Sequence, residues 1–330
     1  MNACRVAALL GPLACILALA PTPAHAQPAA PYPERTVRII VPFPAGGATD
    51  ILARLLAERM NGAWHRPVII ENVAGAAGGT GTAQAAKAPA DGHTLLVATG
   101  TTTTLLPHLR RSLPYDPRRD FDAVALICSF PNMLVIRPGV PAMTVQELID
   151  LARANPGKLS YASSGYGASP HIAAEWFKFI TGTDILHVPF TGSAPALPAL
   201  LGGHLDMMFD TMPSVWPLVQ EGRLRALGVT TFERVPFLPD IPAVAETLPE
   251  FDVTSWLGIM VPAGTAAGIR SKIAGEIANF LQDATTVQRL KELGAVAAKP
   301  NSPQDFAAVI AKDFTKWERV IRDTGIRLGE

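Results

Sequence analysis

The sequence predicts an α/β protein of two lobes, each a mostly parallel sheet flanked by helices. Three observations carry that expectation. The chain has 330 residues, beyond the length at which one hydrophobic core usually suffices. Short β-branched runs lead through small-residue loops rich in Gly, Ala, Ser and Thr, and most of those loops open into helical stretches, the grammar of βα units. The composition is 48% hydrophobic and 17% charged, with 28 Lys and Arg against 28 Asp and Glu. That balance offers no basic footprint for nucleic acid. The 30 prolines and 27 glycines recur at no short fixed period, which excludes collagen-like and linker-type chains.

The first segment is a leader. Arg5 precedes an apolar stretch from Ala7 to Ala20, and Ala24-His25-Ala26 supplies a small-residue exit. The stretch is shorter than the ~20 residues of a spanning helix. A signal peptide over residues 1–26, cut after Ala26, accounts for the pattern, so the mature protein is expected to be exported. A buried N-terminal helix would not need that exit, and Pro12-Leu13-Ala14 before Cys15 is a poor lipobox. Cleavage leaves Cys128 alone, so no intrachain disulfide, CxxC pair or thiolate metal site is expected.

The βα units then follow in order. Val37 to Val41 reads as a buried strand, turned by Phe43 to Asp50 into a helix over Ile51 to Met60. Val68 to Ile70 leads through Asn72 to Gly79 into a helix near Thr80 to Lys87, and Thr94 to Ala98 leads into a loop over Thr99 to Thr104. Thr144 to Glu147 forms a capping box, and Asn155-Pro156-Gly157 ends its helix. Leu159 to Ala162 leads through Ser163 to Ser169 into a helix ending at Thr181, with Ser169 as N-cap and Pro170 as first helical residue. Ile185 to Val188 leads through Phe190 to Ser193 into a helix near Ala194 to Leu201. Ile269, Ile273, Ile277 and Phe280 make one helical stripe. Phe306, Ile310, Trp317 and Ile321 make another, behind the Ser302 to Asp305 start, and both read as core.

Five of these loops share a chemical property. In α/β sheets ligands sit beyond the carboxyl ends of strands, where helix N-termini offer unsatisfied N–H donors and partial positive charge. No Lys or Arg lies within 41–53, 72–86, 94–109, 159–175 or 185–203. An anion held there would be held by backbone and hydroxyl donors. The competing reading is that the glycines only make tight turns. Nucleotide binding lacks its motifs: Gly75 to Gly81 is not in G-x-G-x-x-G order, and no G-x-x-x-x-G-K-[ST] occurs. Ser163, Ser164 and Ser169 lie near His171 but outside any G-x-S-x-G, and the seven histidines show no metal spacing. His171 reads as a loop-holding or ligand-contacting residue, His187 as a satisfied strand histidine, and Asp50 as a helix cap or first-turn acid. No metal or cofactor is expected.

Val41 to Asp50, VPFPAGGATD, resembles the first-loop signature of the Bug family, the periplasmic substrate-binding proteins of tripartite tricarboxylate transporters. Glu71-Asn72, Pro89 to Leu95, Tyr161 to Gly165, His187 to Phe190, Pro195 to Asp206, Leu238 to Glu246 and Val261 to Thr265 continue the resemblance in order along the mature chain. It implies a Venus-flytrap fold whose chain crosses twice between lobes, near Cys128 and Ser255. Lobe 1 would then be residues 27–127 plus 255–330, and lobe 2 residues 128–254.

The resemblance further implies a monomer, not an enzyme, that grips a small carboxylate between its lobes and delivers it to membrane permease subunits. A ligand sensor for a membrane signalling protein, or a hydrolase on the same scaffold, are the alternatives. Carried over residue by residue, it implicates Phe43, Gly46, Gly47, Ser164, Gly165, Gly167, Ala168, Ser169 and His171, with Thr101, Thr191 and Asp210 beside them. Gly47 is expected to need a backbone conformation that a β-branched residue disfavours. Family members often carry Ser or Thr where Ala168 stands and Lys where Thr191 stands. Both departures make the pocket less polar, which argues against a highly charged tricarboxylate.

Overall fold

The computed structural model describes residues 32–299 and 301–325, so the leader over 1–26 lies outside the described residues. The early βα units form where the hydrophobic runs place them. β1 (Val37–Val41), α1 (Ala48–Trp64), β2 (Val68–Asn72), α2 (Gly79–Ala86), β3 (Thr94–Thr99) and the short α3 (Leu106–Leu109) come first. A long strand, β4 (Phe121–Ile136), follows, then α4 (Val145–Ala154), β5 (Ser160–Ser163), α5 (Ser169–Thr181), β6 (Leu186–Pro189), α6 (Ser193–Leu201), β7 (Met207–Thr211), α7 (Met212–Gln220) and β8 (Arg225–Val229). The chain ends with β9 (Thr254–Pro262), α8 (Ala267–Gln282), α9 (Ala284–Glu292), β10 (Val296–Ala297) and α10 (Pro303–Thr324).

The strands pair in the order β2-β1-β3-β9-β4-β7-β5-β6. β1 pairs in parallel with β2 and β3, and β5 with β6 and β7. β9 runs antiparallel to β3 and β4, and β4 antiparallel to β7 and β8. The sheets are therefore mixed rather than mostly parallel. The reason is topological: parallel neighbours need a crossover helix, whereas β4 and β9 carry the chain directly across the molecule and back. β4 pairs with β9 over Phe121 to Pro131 and with β7 over Asn132 to Ile136, so it belongs to both sheets.

Each sheet has its own apolar packing. Ile39, Val41, Leu95 and Val97 pack under α1 and α8 with Leu52, Leu56, Ile273 and Ile277. Tyr161 and Phe209 of the second sheet pack with Phe177 of α5 and Phe251 of the segment before β9, joined by Trp317 and Ile321 of α10. The Ile269 stripe and the Phe306 stripe thus both pack inward, as the sequence predicts. Among the described residues, no helix is long and apolar enough to cross a membrane.

Two local expectations shift. The N-cap of α5 is Ala168 (φ −66, ψ 152), and Ser169 is its first helical residue. The Ser169 hydroxyl is not capping, because Asn132 donates to it and it meets the Ser255 hydroxyl, each at 3.1 Å. The segment expected as a loop over Thr99 to Thr104 is wound: Thr101–Leu105 forms a single wide helical turn that runs into α3. Thr103 turns its hydroxyl back on the chain, to the Thr99 carbonyl at 2.6 Å, while the single Thr104 hydroxyl proton is shared between the Gly100 carbonyl at 2.8 Å and Asp313 Oδ2 at 2.6 Å. Back-bonding of this kind consumes donors that an open loop would have offered.

Candidate functional site

A pocket of about 660 Å³ lies where the loops of both sheets converge. From the first sheet come Phe43, Pro44 and Gly47 to Thr49 after β1, and Thr99 to Thr101 with Leu105 after β3. From the second come Ser164 and Ala168 to Pro170 after β5, Ser193 after β6, and Asp210 and Thr211 at the end of β7. Phe130 of β4, Thr254 to Trp256 of β9, and Asp313 and Trp317 of α10 complete the wall. No Lys, Arg or His lines it among the described residues.

The first loop is shaped by Asp50. This first-turn residue of α1 is 3% exposed and accepts hydrogen bonds from the Gly46 N–H and Arg54 Nε at 2.9 Å and from Asn72 Nδ2 at 3.0 Å. Asn72 also donates to the Phe43 carbonyl at 3.0 Å. Burial pulls the Asp50 carboxyl upward, but the bonds from Arg54, Gly46 and Asn72 outweigh it and hold the group below its ordinary value. The first N–H of α1, on Ala48, donates to the Ser214 hydroxyl of α7 at 3.1 Å. That bond joins the β1 loop to the second sheet.

The second loop is held by two histidines. The Gly167 N–H donates to His171 Nδ1 at 3.2 Å, which requires that nitrogen to be unprotonated. His187 Nε2 lies 2.6 Å from the Ser163 hydroxyl, and its ring stacks on Tyr161 with centroids 4.6 Å apart. The two imidazoles are 4.4 Å apart. Burial pushes His171 down to about 4, and burial together with the neighbouring His171 pushes His187 down to about 3. Both are neutral spacers at neutral pH. Gly165 (φ 120) and Gly167 (φ 81) supply the positive dihedrals that the tight loop between them needs.

Two contacts tie the loops together at the pocket. The Ser169 N–H donates to Thr101 Oγ1 at 3.0 Å, and Ala168 packs on Ala77 and Leu106. Asp210 is fully buried. Its Oδ1 accepts from the Ser193 hydroxyl at 2.8 Å and the Thr211 N–H at 2.7 Å, while Oδ2 has no partner. Burial raises its carboxyl to about 7 against the lowering effect of those bonds.

Comparison with known proteins fits this geometry. Residues 52–326 match the model of the tripartite tricarboxylate transporter family receptor, TctC. The chain belongs to this receptor family. The protein BugT of Bordetella pertussis is 34% identical over 332 residues, covering 99% of this chain and 100% of BugT. The structure of the periplasmic binding protein BugD superposes with a TM-score of 0.86 at 32% identity, covering 90% of this chain and 99% of BugD. An R. palustris protein solved with adipate gives 0.87 at 35% identity over 90% of this chain and 99% of its own. MatC from Rhodopseudomonas palustris, with bound malate, gives 0.84 at 33% over 88% and 100%. The family and these structures establish the two-lobed periplasmic binding-protein fold.

In this TctC-family receptor, the expected residues divide. Phe43, Gly47, Thr101, Ser164, Ala168, Ser169 and Asp210 line the pocket. Gly46, Gly165, Gly167 and His171 do not; they shape the two loops behind it. Thr191 is exposed and outside the lining, and Ser193, two residues on, supplies the hydroxyl instead. The conformational demand expected at Gly47 falls on Gly46, whose φ is 84, while Gly47 has φ −83.

Sequence reasoning passed over Phe130, Trp256, Asp313 and Trp317. Trp317 was assignable to the α10 stripe, and at 2% exposure it is core; yet the same ring reaches the pocket. Asp313, four residues earlier on the same helix, carried the signal: an acid one turn before an aromatic on an otherwise apolar face.

Proposed function

We propose that this receptor captures a small carboxylate between the loops of its two sheets and delivers it to the membrane permease of a tripartite tricarboxylate transporter. The observation that carries the reading is the pocket itself, walled by hydroxyls, backbone and helix starts from both sheets and by no cation. The ligand carboxylate would meet neutral donors such as the Thr49 and Ser164 hydroxyls, which bind an anion without the desolvation cost of a buried ion pair. Adipate and malate in two relatives at 35% and 33% identity support the ligand class.

Capture would shift a lobe equilibrium toward the form in which both loops touch the ligand. We take the lobes as residues 27–127 plus 255–330 and 128–254. The support is the change of partner along β4, from β9 to β7, between Pro131 and Asn132. We also take the protein as a monomer exported by a leader cut after Ala26, and as a binder rather than an enzyme. Ser163, the serine nearest a histidine nitrogen, is fully buried and already accepts from the Gly165 N–H, so it has no path to a substrate.

A thermal-shift screen of refolded, ligand-free mature protein against a carboxylate panel tests the reading, because a ligand bound only by the native state raises the midpoint. A rise with at least one carboxylate is expected. No rise with any of them, confirmed by calorimetry, refutes it.

A further inference from the structure

The β1 loop meets the second sheet at two places behind the pocket wall. At the first, the Gly192 backbone before α6 lies against the Pro44 ring. A Cβ built on Gly192 would stand 2.6 Å from Pro44 Cδ and 2.8 Å from Pro44 Cγ. Gly192 has φ 169 and ψ 174, an extended conformation that any residue adopts. Local backbone geometry therefore does not call for glycine there; the approach of Pro44 does. At the second place, the Ala48 N–H donates to Ser214 Oγ of α7 at 3.1 Å, and that hydroxyl lies 3.2 Å from Thr211 Oγ1. Pro44, Ala48 and Thr211 line the pocket, whereas Gly192 and Ser214 do not.

We infer that Gly192 and Ser214 are positioning residues for capture: they seat the first loop against the second sheet and so set how long the closed form holds its ligand. The inference rests on the capture reading above and assigns its closing seam. Both contacts exist only while the β1 loop and the second sheet are together. The three nearest neighbours of a side chain at position 192 would all be Pro44 atoms, from across the seam. The Ala48 N–H is buried with its acceptor when the seam is shut, and water can take that bond once it opens. Loss of either contact therefore penalises the closed form alone, and a smaller closed fraction lowers the apparent affinity in proportion.

The seam can be tested first without any ligand. A Gly192 Cβ would lie 3.7 Å from Pro44 Cβ, inside the about 3.5–4.5 Å that a disulfide spans. Pro44→Cys/Gly192→Cys should cross-link on mild oxidation of refolded, ligand-free mature protein, with the buried Cys128 left out of the bond. Stopped-flow release then uses the panel carboxylate that raises the wild-type midpoint most. Gly192→Ala and Ser214→Ala should each release it at least about fivefold faster, with association within about twofold of wild type. In the Pro44→Ala background, which lacks Cγ and Cδ, Gly192→Ala should have little further effect, a coupling that general loop damage would not show. Absence of the cross-link, an unchanged release rate in either single variant, or full additivity of Gly192→Ala with Pro44→Ala overturns the inference and leaves carboxylate capture standing. A wild-type protein that answers to no carboxylate sinks the capture reading itself, while the cross-link still reports whether the seam forms.

Discussion

The Ser169 N–H, at the start of α5, donates to Thr101 Oγ1 on the turn after β3 across 3.0 Å. One hydrogen bond thus joins helix starts that belong to different sheets, at the edge of the pocket both of them line. The Ser169 hydroxyl meanwhile meets Asn132 of β4 and Ser255 of β9, the two strands that carry the chain between the sheets.

If that bond helps hold the ligand-gripping arrangement, Thr101→Val should weaken carboxylate binding. A buried N–H left without its acceptor costs about 1–3 kcal/mol, so affinity should drop by roughly fivefold or more, and Thr101→Ser should restore most of it. Titration calorimetry reads both. Equal affinities in wild type and Thr101→Val would show that the contact is incidental to binding.

Asp210 should make anion binding pH-dependent. Its folded carboxyl is raised to about 7, so it is protonated below that pH and places a negative charge at the pocket wall above it. Carboxylate affinity should therefore fall as pH rises from 6 to 8.5, by about tenfold. The same raised value means that its protonated form favours folding at low pH and loses that contribution as pH rises through about 7. Asp210→Asn should flatten the binding profile. A pH-independent wild-type affinity over that range would contradict the assignment.

The histidine pair gives an acid-stability prediction of opposite sign. His171 is depressed to about 4 against an unfolded value of about 6.5. The contribution is complete above about 6.5 and is lost as pH falls toward 4, because the unfolded chain takes up the proton first. Urea unfolding should show the protein about 2–3 kcal/mol less stable near pH 4 than near pH 7 from this group. His171→Asn should shrink the difference. A variant as acid-sensitive as wild type would place the linkage elsewhere.

The first-loop glycines separate cleanly. Gly46 has φ 84, and a Cβ there costs about 1–2 kcal/mol in backbone strain even though its nearest neighbour, the Ala194 Cβ, would lie at an ordinary 3.8 Å. Gly47 has φ −83, and its added Cβ would first meet the Pro44 carbonyl at an ordinary 3.8 Å. Gly46→Ala should lower the unfolding midpoint and Gly47→Ala should leave it nearly unchanged. The reverse order would mean the loop is not held as Asp50 holds it here.

Much of this molecule follows from local sequence. Short apolar and β-branched runs place β1, β2, β3, β5 and β6, and the Ser302 box opens α10, because strand burial and helix capping are decided by neighbours within a few residues. The small-residue, cation-free loops after β1, β3, β5 and β6 are also legible in sequence, and each contributes to the pocket wall. Local pattern could not show that Thr102 and Thr103 spend their hydroxyls on the Thr99 carbonyl, since that depends on whether the turn winds. Nor could it place Asp313 and Trp317 beside loops more than a hundred residues away. Their stripe reads as core from periodicity alone, and only the packing of α10 across both sheets brings its indole and carboxyl to the pocket. Sequence fixes which residues are apolar or able to donate; the tertiary structure decides which of them share one cavity, because long-range packing is set by the whole chain and not by any segment of it.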